Sequence, residues 1–358
     1  MNIVFVGDEI RELQPMIERL HHKMYCSAHL LSSIDAFKKA FDREQYNIDV
    51  IVVEMNFRPD DRQGGLRIIE YVQQRQFEYI PIIVMTVYED FDNAIRALDM
   101  GAFHYIFKGG DTEATVKILA GMIKRAYDLR LERLQADGFA LAISNLIDTY
   151  DHWLHGHSRR VGRYAQLLAL KIQLPANEVQ IAKRAGMVHD IAKIHLDCQA
   201  FQVKGSLSDI LKDTMKEHPV RGYELLKELG NPPALLLAVL EHHLRIDGSG
   251  YPLEHPALQA ELSTIGQIIG LVDSFDAMTT PRSYRESTLT ILAALDQLEL
   301  DARKGCYARS LVAAWRACLP DIYYTIENDY KRGVLPEIMW RANLSTEGEP
   351  LTEPSATR

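Results

Sequence analysis

The residues in this chain best suited to chemistry are histidines and aspartates in its second half: His157, the pair His189-Asp190, His218, the pair His242-His243, and Asp273 with Asp276. Singly, each histidine reads as an ordinary surface or core residue. As an ordered set in helix-patterned segments they point to a metal site, because helical bundles build such sites from side chains projecting inward off facing helices. Imidazole combined with carboxylate suits Fe, Mn, Zn or Ni better than Mg or Ca. The second histidine pair runs into a glycine-punctuated turn, Asp247-Gly248-Ser249-Gly250-Tyr251-Pro252. The glycines supply positive-φ freedom and Pro252 fixes the exit, so the loop can hold Tyr251 beside the site or use it as a packing brace.

The order and spacing of these motifs resemble the HD-GYP family, metal-dependent phosphodiesterases that cleave the bacterial second messenger cyclic di-GMP. The resemblance implies an all-α helical bundle with two divalent metal ions, Fe or Mn first and Zn or Ni as alternatives. His157, His189 and Asp273 would hold one ion and His218, His242 and His243 the other, with Asp190 bridging both. Asp190 and Lys193 would be catalytic. Substrate contacts would come from Lys193, Asp247, Gly250, Tyr251, Pro252, Asp276, Arg282 and Arg285. Some relatives bind a third metal through a glutamate four residues before the first histidine. Here that position is Trp153, so a binuclear site is expected, with His152 and His155 read as loop residues and Asp151 keeping the family frame.

Two departures stand out. Leu244 replaces the usual glutamate after the histidine pair, and Ala192 replaces the glycine before Lys193. Loss of an acceptor at residue 244 would leave a ligating imidazole less well oriented, so reduced turnover is expected. The implied function is hydrolysis of cyclic di-GMP to linear pGpG and onward to GMP. Two other readings stay open: a low-turnover cyclic di-GMP-binding effector signalling through protein contacts, and an HD phosphohydrolase for another cyclic dinucleotide. The Gly-Tyr-Pro loop would also serve as a docking surface for diguanylate-cyclase domains.

The elements that must position this set are helical across residues 137–340. Upstream, Ile118, Leu119, Met122, Ile123, Ala126, Leu129 and Leu134 repeat at three- and four-residue spacing among charged residues. This predicts an amphipathic connector helix over 111–136, overlapping the last helix of the preceding domain. Its stripe packs on its own chain or pairs two chains in a homodimer. Residues 341–358 read as a disordered tail.

Residues 1–125 alternate short apolar runs, Ile3 to Val6, Val50 to Val53, Ile82 to Met85 and Tyr105 to Phe107, with helix-like stretches, the pattern of a parallel α/β sheet. Such sheets carry their functional loops at strand C-terminal ends. There stand Asp8, Glu9, Glu54, Thr86 and Lys108, a layout that resembles a response-regulator receiver domain with a flavodoxin-like sheet. The family's phospho-accepting aspartate is here Glu54, one methylene longer, and an extra residue precedes Pro59. Positioning dominates phosphoryl transfer, so a pseudo-receiver is expected. It serves as a docking module or is held active by a Glu54–Lys108 pair.

The 358 residues, 47% hydrophobic and 25% charged, have the balance of a folded protein of two domains. A net charge of −9 argues against a nucleic-acid polymer as partner. Cys26, Cys198, Cys306 and Cys318 form no Cys-x-x-Cys pair and read as reduced thiols. No apolar run reaches membrane-spanning length, and the start of the chain enters a strand pattern without a basic leader, so a cytoplasmic protein is expected.

Overall fold

The computed structural model describes residues 1–43, 46–57, 61–75, 79–88, 90–109, 112–150, 156–195, 215–259, 261–280 and 288–331. The chain divides into two compact units, Met1–Ala136 and Asp137–Arg358. In the first, strands β1 (Asn2–Val6), β2 (Ser27–Leu31), β3 (Val50–Glu54), β4 (Ile82–Thr86) and β5 (His104–Phe107) form one parallel sheet in the order β2-β1-β3-β4-β5. β3 and β4 are buried throughout. That burial explains their near-continuous apolar composition, rich in Val and Ile, since parallel strands covered on both faces need no polar alternation. Helices α1 (Ile10–Lys23), α2 (Ile34–Asp42), α3 (Gly64–Arg75) and α4 (Phe91–Asp99) connect the strands. Ser33 caps α2 by accepting from the Ala36 N–H, and Asp90 caps α4 by accepting from the Asn93 N–H.

Helix α5 runs unbroken from Thr112 to Tyr150, well past the end expected near residue 136. Val116, Leu119, Ile123 and Ala126 are buried in the core beneath the sheet, so this face packs on its own chain, whereas Ile118 is 52% exposed and does not belong to it. Arg130 anchors the helix by donating to the Tyr79 carbonyl at 2.6 Å.

The second unit is helical: α6 (His157–Lys171), α7 (Ala176–Val188), a 3₁₀ turn (Ile191–His195), α8 (His218–Glu228), α9 (Pro233–Glu241), α10 (Thr264–Thr279), α11 (Ile291–Lys304), α12 (Arg309–Arg316) and α13 (Leu319–Lys331). Its core includes a three-ring cluster of Tyr164, Phe275 and Trp315, with centroids 5.2–5.7 Å apart in edge-to-face contact. α6 and α7 touch backbone to backbone where Gly162 meets Gly186. A Cβ on Gly186 would lie 2.7 Å from the Gly162 Cα, so neither position admits a side chain without moving a helix. Among the described residues no helix is long and apolar enough to cross a membrane. The expected tail at 341–358 lies outside the described residues.

Candidate metal centre

The metal-binding candidates sit mostly at helix ends, where the chain changes direction and a side chain can point along the bundle. His157 is the first residue of α6, behind Gly156 at φ 70°. His189 follows the last residue of α7, and Asp190 leads into the 3₁₀ turn. His218 starts α8 with Pro219 next to it, His242 follows the end of α9, and Asp273 lies within α10.

These elements bring the set together. His218, His242 and His243 form one group and His157, His189 and Asp190 another, with the candidate ligand atoms of each group within 4.8 Å of one another. Asp190 lies between them. Its Oδ2 is 3.3 Å from His189 Nε2 and 3.8 Å from His157 Nε2, while its Oδ1 is 3.3 Å from His218 Nε2 and 4.0 Å from His242 Nε2. Asp273 Oδ1 lies 3.3 Å from His157 Nε2 and 3.8 Å from His189 Nε2. Lys193 Nζ, one turn on, is 2.5 Å from Asp190 Oδ2.

Three imidazoles are fixed from behind by carbonyls. His189 Nδ1 donates to the Gly186 carbonyl at 2.8 Å, His218 Nδ1 to that of Met215 at 2.5 Å, and His242 Nδ1 to that of Val239 at 2.6 Å. A carbonyl can only accept, so each Nδ1 carries the proton and the neutral ring presents an Nε2 lone pair inward. His157 Nε2, His189 Nε2 and Asp190 Oδ1 are buried with no hydrogen-bond partner. Buried polar atoms are rarely left unpaired, and these orphans, two in the His157 group and one facing the His218 group, fit ligands of cations. Imidazole and carboxylate donors are those of a first-row transition metal.

The electrostatics favour ionised carboxylates and neutral imidazoles at His218, His242 and His243, whereas His189 is raised above its usual value because Asp190 and Asp273 outweigh its burial. Burial pulls the His218 pKa down to about 4 and that of His243 down to about 3. His242 is held well below its usual value by burial and then by its imidazole neighbours. Burial works against ionisation of Asp190 and Asp273. It is outweighed by His189 and Lys193 at Asp190 and by His157 and His189 at Asp273, so both carboxyls stay well below their usual range. An unfolded chain protonates His218, His242 and His243 below about 6.5, while in the folded chain all three stay neutral well below that; the raised His189 works in the opposite direction but is one group against three, so the unfolded state binds more protons in between. The metal-free protein is therefore expected to lose stability progressively as pH falls from 6.5 towards 4, measured as the denaturant midpoint. A midpoint that is flat across this window would contradict the buried neutral state.

Asp276, expected as a substrate contact, is fully buried behind His157: Arg160 Nε donates to its Oδ1 at 2.7 Å, a second Arg160 nitrogen donates to its Oδ2 at 3.0 Å, and His157 Nδ1 meets the same oxygen at 2.8 Å. Sequence reasoning gave Arg160 no role. Glu241 was also passed over. Its Oε2 accepts from the Ser263 N–H at 2.9 Å and from the Ser263 hydroxyl at 2.5 Å, and Ser263 in turn caps α10, the helix that carries Asp273.

The departures at 192 and 244 look different in place. Ala192 is buried in the packing. Leu244 lines an apolar pocket with Ile246, Leu262, Tyr307 and Leu311. His218 and His242 already have carbonyl partners on Nδ1, so the loss of an acceptor expected at residue 244 does not apply to them.

Tyr251 lies against His243, with ring centroids 4.5 Å apart. Gly250 has φ 100°, and a Cβ there would come within 2.0 Å of the His243 carbonyl oxygen. Gly250→Ala is expected to cost about 1–3 kcal/mol and to displace the His243 backbone. Thermal unfolding with metal analysis would check this, and an unchanged melting temperature would contradict it. Asp247 is exposed and occupied with its own turn, its Oδ1 accepting from the Ser249 N–H and hydroxyl, so it is a turn residue. Arg282 and Arg285 lie outside the described residues, as do Asp151, His152, Trp153 and His155.

In the first unit Asp8, Glu9, Glu54, Thr86 and Lys108 line one cavity at the C-terminal ends of the strands. Lys108 Nζ is 2.5 Å from Glu54 Oε1 and also lies 3.6 Å from Glu9 and 3.5 Å from Glu12. Burial raises the Glu54 pKa, and Lys108 offsets this only in part. Thr86 is buried, its hydroxyl accepting from the Tyr88 N–H at 3.1 Å.

Comparison with known proteins agrees with this division. Residues 142–311 match the HD domain model and residues 3–120 the response regulator receiver domain model. The chain is 26% identical over 267 residues to a protein of Thermotoga maritima named cyclic di-GMP phosphodiesterase, covering 67% of this chain and 71% of that protein. It is 29% identical over 265 residues to the cyclic di-GMP phosphodiesterase response regulator RpfG of Xanthomonas campestris, covering 67% and 69%. A 3'3'-cGAMP-specific phosphodiesterase 3 of Vibrio cholerae is 26% identical over 197 residues, covering 54% and 42%.

Proposed function

We propose that this chain, which joins a response regulator receiver domain to an HD domain, is a two-ion cyclic dinucleotide phosphodiesterase that hydrolyses cyclic di-GMP. The observation that carries the reading is Asp190, whose two oxygens face two separate histidine groups. Iron or manganese ions would be held by His157, His189 and Asp273 on one side and by His218, His242 and His243 on the other, with Asp190 a ligand available to both. Divalent ions held there supply Lewis acidity at a phosphoryl oxygen and lower the pKa of water towards neutrality.

The chain's own residues do the rest. The imidazoles are anchored through Nδ1, so they keep a fixed geometry as charge develops at the phosphate. Lys193 places a fixed positive charge beside Asp190, where it can pair with a phosphodiester anion. Tyr251, its ring tilted against that of His243, packs beside the same group. Water adds to phosphorus, one P–O bond to ribose breaks, and the departing oxygen takes a proton, giving linear pGpG and, after a second round, GMP. Supply of a bacterial second messenger fits a cytoplasmic site of action.

The resemblance to a 3'3'-cGAMP-specific enzyme supports a second substrate reading. One experiment addresses both. Metal-free protein is loaded anaerobically with Fe²⁺ or Mn²⁺ and offered cyclic di-GMP and 3'3'-cGAMP, with products separated by chromatography. Linear pGpG formed faster than the cGAMP product is the expected result. Tight binding without product in every metal form would support the effector reading instead.

For the receiver domain, the buried Glu54–Lys108 pair supports a module that does not use ordinary phosphorylation. Incubation with acetyl phosphate is expected to leave its mass unchanged. Stoichiometric acid-labile phosphate on Glu54 would contradict this.

A further inference from the structure

We infer that the two halves of the cluster hold their ions unequally, and that the buried Arg160–Asp276 pair behind His157 is the positioning device that sets the difference. The His157–His189–Asp273 half is the tight position and the His218–His242–His243 half the weak one. The inference rests on the two-ion reading above and assigns to Asp276 and Arg160 a role that reading does not use.

The first argument is the partner on each Nδ1. His189, His218 and His242 donate to neutral backbone carbonyls. His157 alone among these four faces a carboxylate, Asp276 Oδ2 at 2.8 Å. An anionic acceptor raises the basicity of the opposite ring nitrogen more than a carbonyl does, so His157 Nε2 is the strongest imidazole donor of the four. Asp276 is fully buried, and Arg160, 2% exposed, grips both its oxygens, which fixes the carboxylate plane and therefore the ring. Thr280 braces the same turn, its hydroxyl donating to the Asp276 carbonyl at 2.6 Å.

The second argument is charge. The His157 half has a carboxylate of its own, Asp273, with Oδ1 3.3 and 3.8 Å from its two imidazole nitrogens. Among the described residues the other half consists of three imidazoles, and the one carboxylate oxygen within 4.0 Å of its nitrogens is the shared Asp190 Oδ1, although Asp273 also acts on His243 from farther off. A divalent cation therefore gains more in the first position than in the second. Lys193 opposes this from Asp190 Oδ2, but it leaves Asp273 untouched.

Metal-free full-length protein titrated anaerobically with Mn²⁺, with bound metal counted by equilibrium dialysis, tests the inference. Wild type is expected to bind two ions in two events separated by about tenfold or more in Kd. A double variant, Arg160→Met with Asp276→Asn, keeps a neutral acceptor for His157 and buries no unpaired charge. It is expected to weaken the tight event by about 10–100-fold and leave the weak one unmoved. His243→Ala is expected to remove the weak event and keep the tight one, a selectivity that a merely structural role for Asp276 would not produce. Equal loading of both positions in wild type, or equal weakening of both events in the double variant, would overturn the inference. Saturation at one ion per chain would instead refute the two-ion reading, and the inference with it.

Discussion

Asp190→Ala is expected to lower the turnover of cyclic di-GMP by about 10³-fold or more, the upper range for loss of a single transition-state stabilising group. The argument is geometric. Asp190 is the residue whose two oxygens reach both histidine groups, and it also holds Lys193, so its removal acts on both ions and on the fixed cation at once. Loss of His243, by contrast, touches one group. The fold should survive, because the anchoring bonds of His189, His218 and His242 run to backbone carbonyls and do not involve Asp190. Circular dichroism together with product assay checks both halves of this expectation. A folded variant that keeps a tenth or more of wild-type turnover would remove Asp190 from the mechanism.

Arg160→Met is expected to destabilise the helical unit by about 3–5 kcal/mol, the usual cost of breaking a buried ion pair by removing one partner. Asp276 has no exposure to solvent, and Arg160 supplies two of the bonds to its carboxylate. Methionine keeps the length of the side chain but leaves that charge with His157 as its main partner. Addition of Asp276→Asn removes the uncompensated charge and should recover most of the loss, since a buried pair is worth little against a neutral replacement. Thermal unfolding of metal-free protein measures the effect, expected as a shift of roughly 10 °C in the transition of this unit. A shift below 2–3 °C, on the order of 1 kcal/mol, would mean that the pair is not the anchor described.

Much of this was legible in the sequence, for identifiable reasons. β1, β3 and β4 were visible because burial leaves runs rich in β-branched residues, and β5 through its aromatic and branched run Tyr105-Ile106-Phe107, but β2 was not. Its residues Ser27-Ala28-His29-Leu30-Leu31 form an edge strand that is exposed or half-buried throughout, so no apolar run marks it. The extent of α5 was missed because nothing between Gln135 and Tyr150 breaks a helix, and a domain joint inside a continuous helix has no local signal. The histidines were legible through their pairing and order. Asp276 was noticed, but its surroundings were not legible: three residues after Asp273 on one helix, it shares a face with it, and only coordinates tell whether a carboxylate there meets substrate or the back of an imidazole. Arg160, beside Arg159, reads as a surface charge until its burial is known. The partners of His218 and His242 were not legible at all, because backbone carbonyls, invisible to side-chain motifs, supply them.

The central claim is that Asp190 joins two metal positions into one hydrolytic site. It is tested most directly by measuring cyclic di-GMP hydrolysis as metal-free protein receives Mn²⁺ in fractions of an equivalent. The account predicts little turnover up to one equivalent per chain and a steep rise towards the second. Full activity at one equivalent, with no further gain from the next, would contradict it.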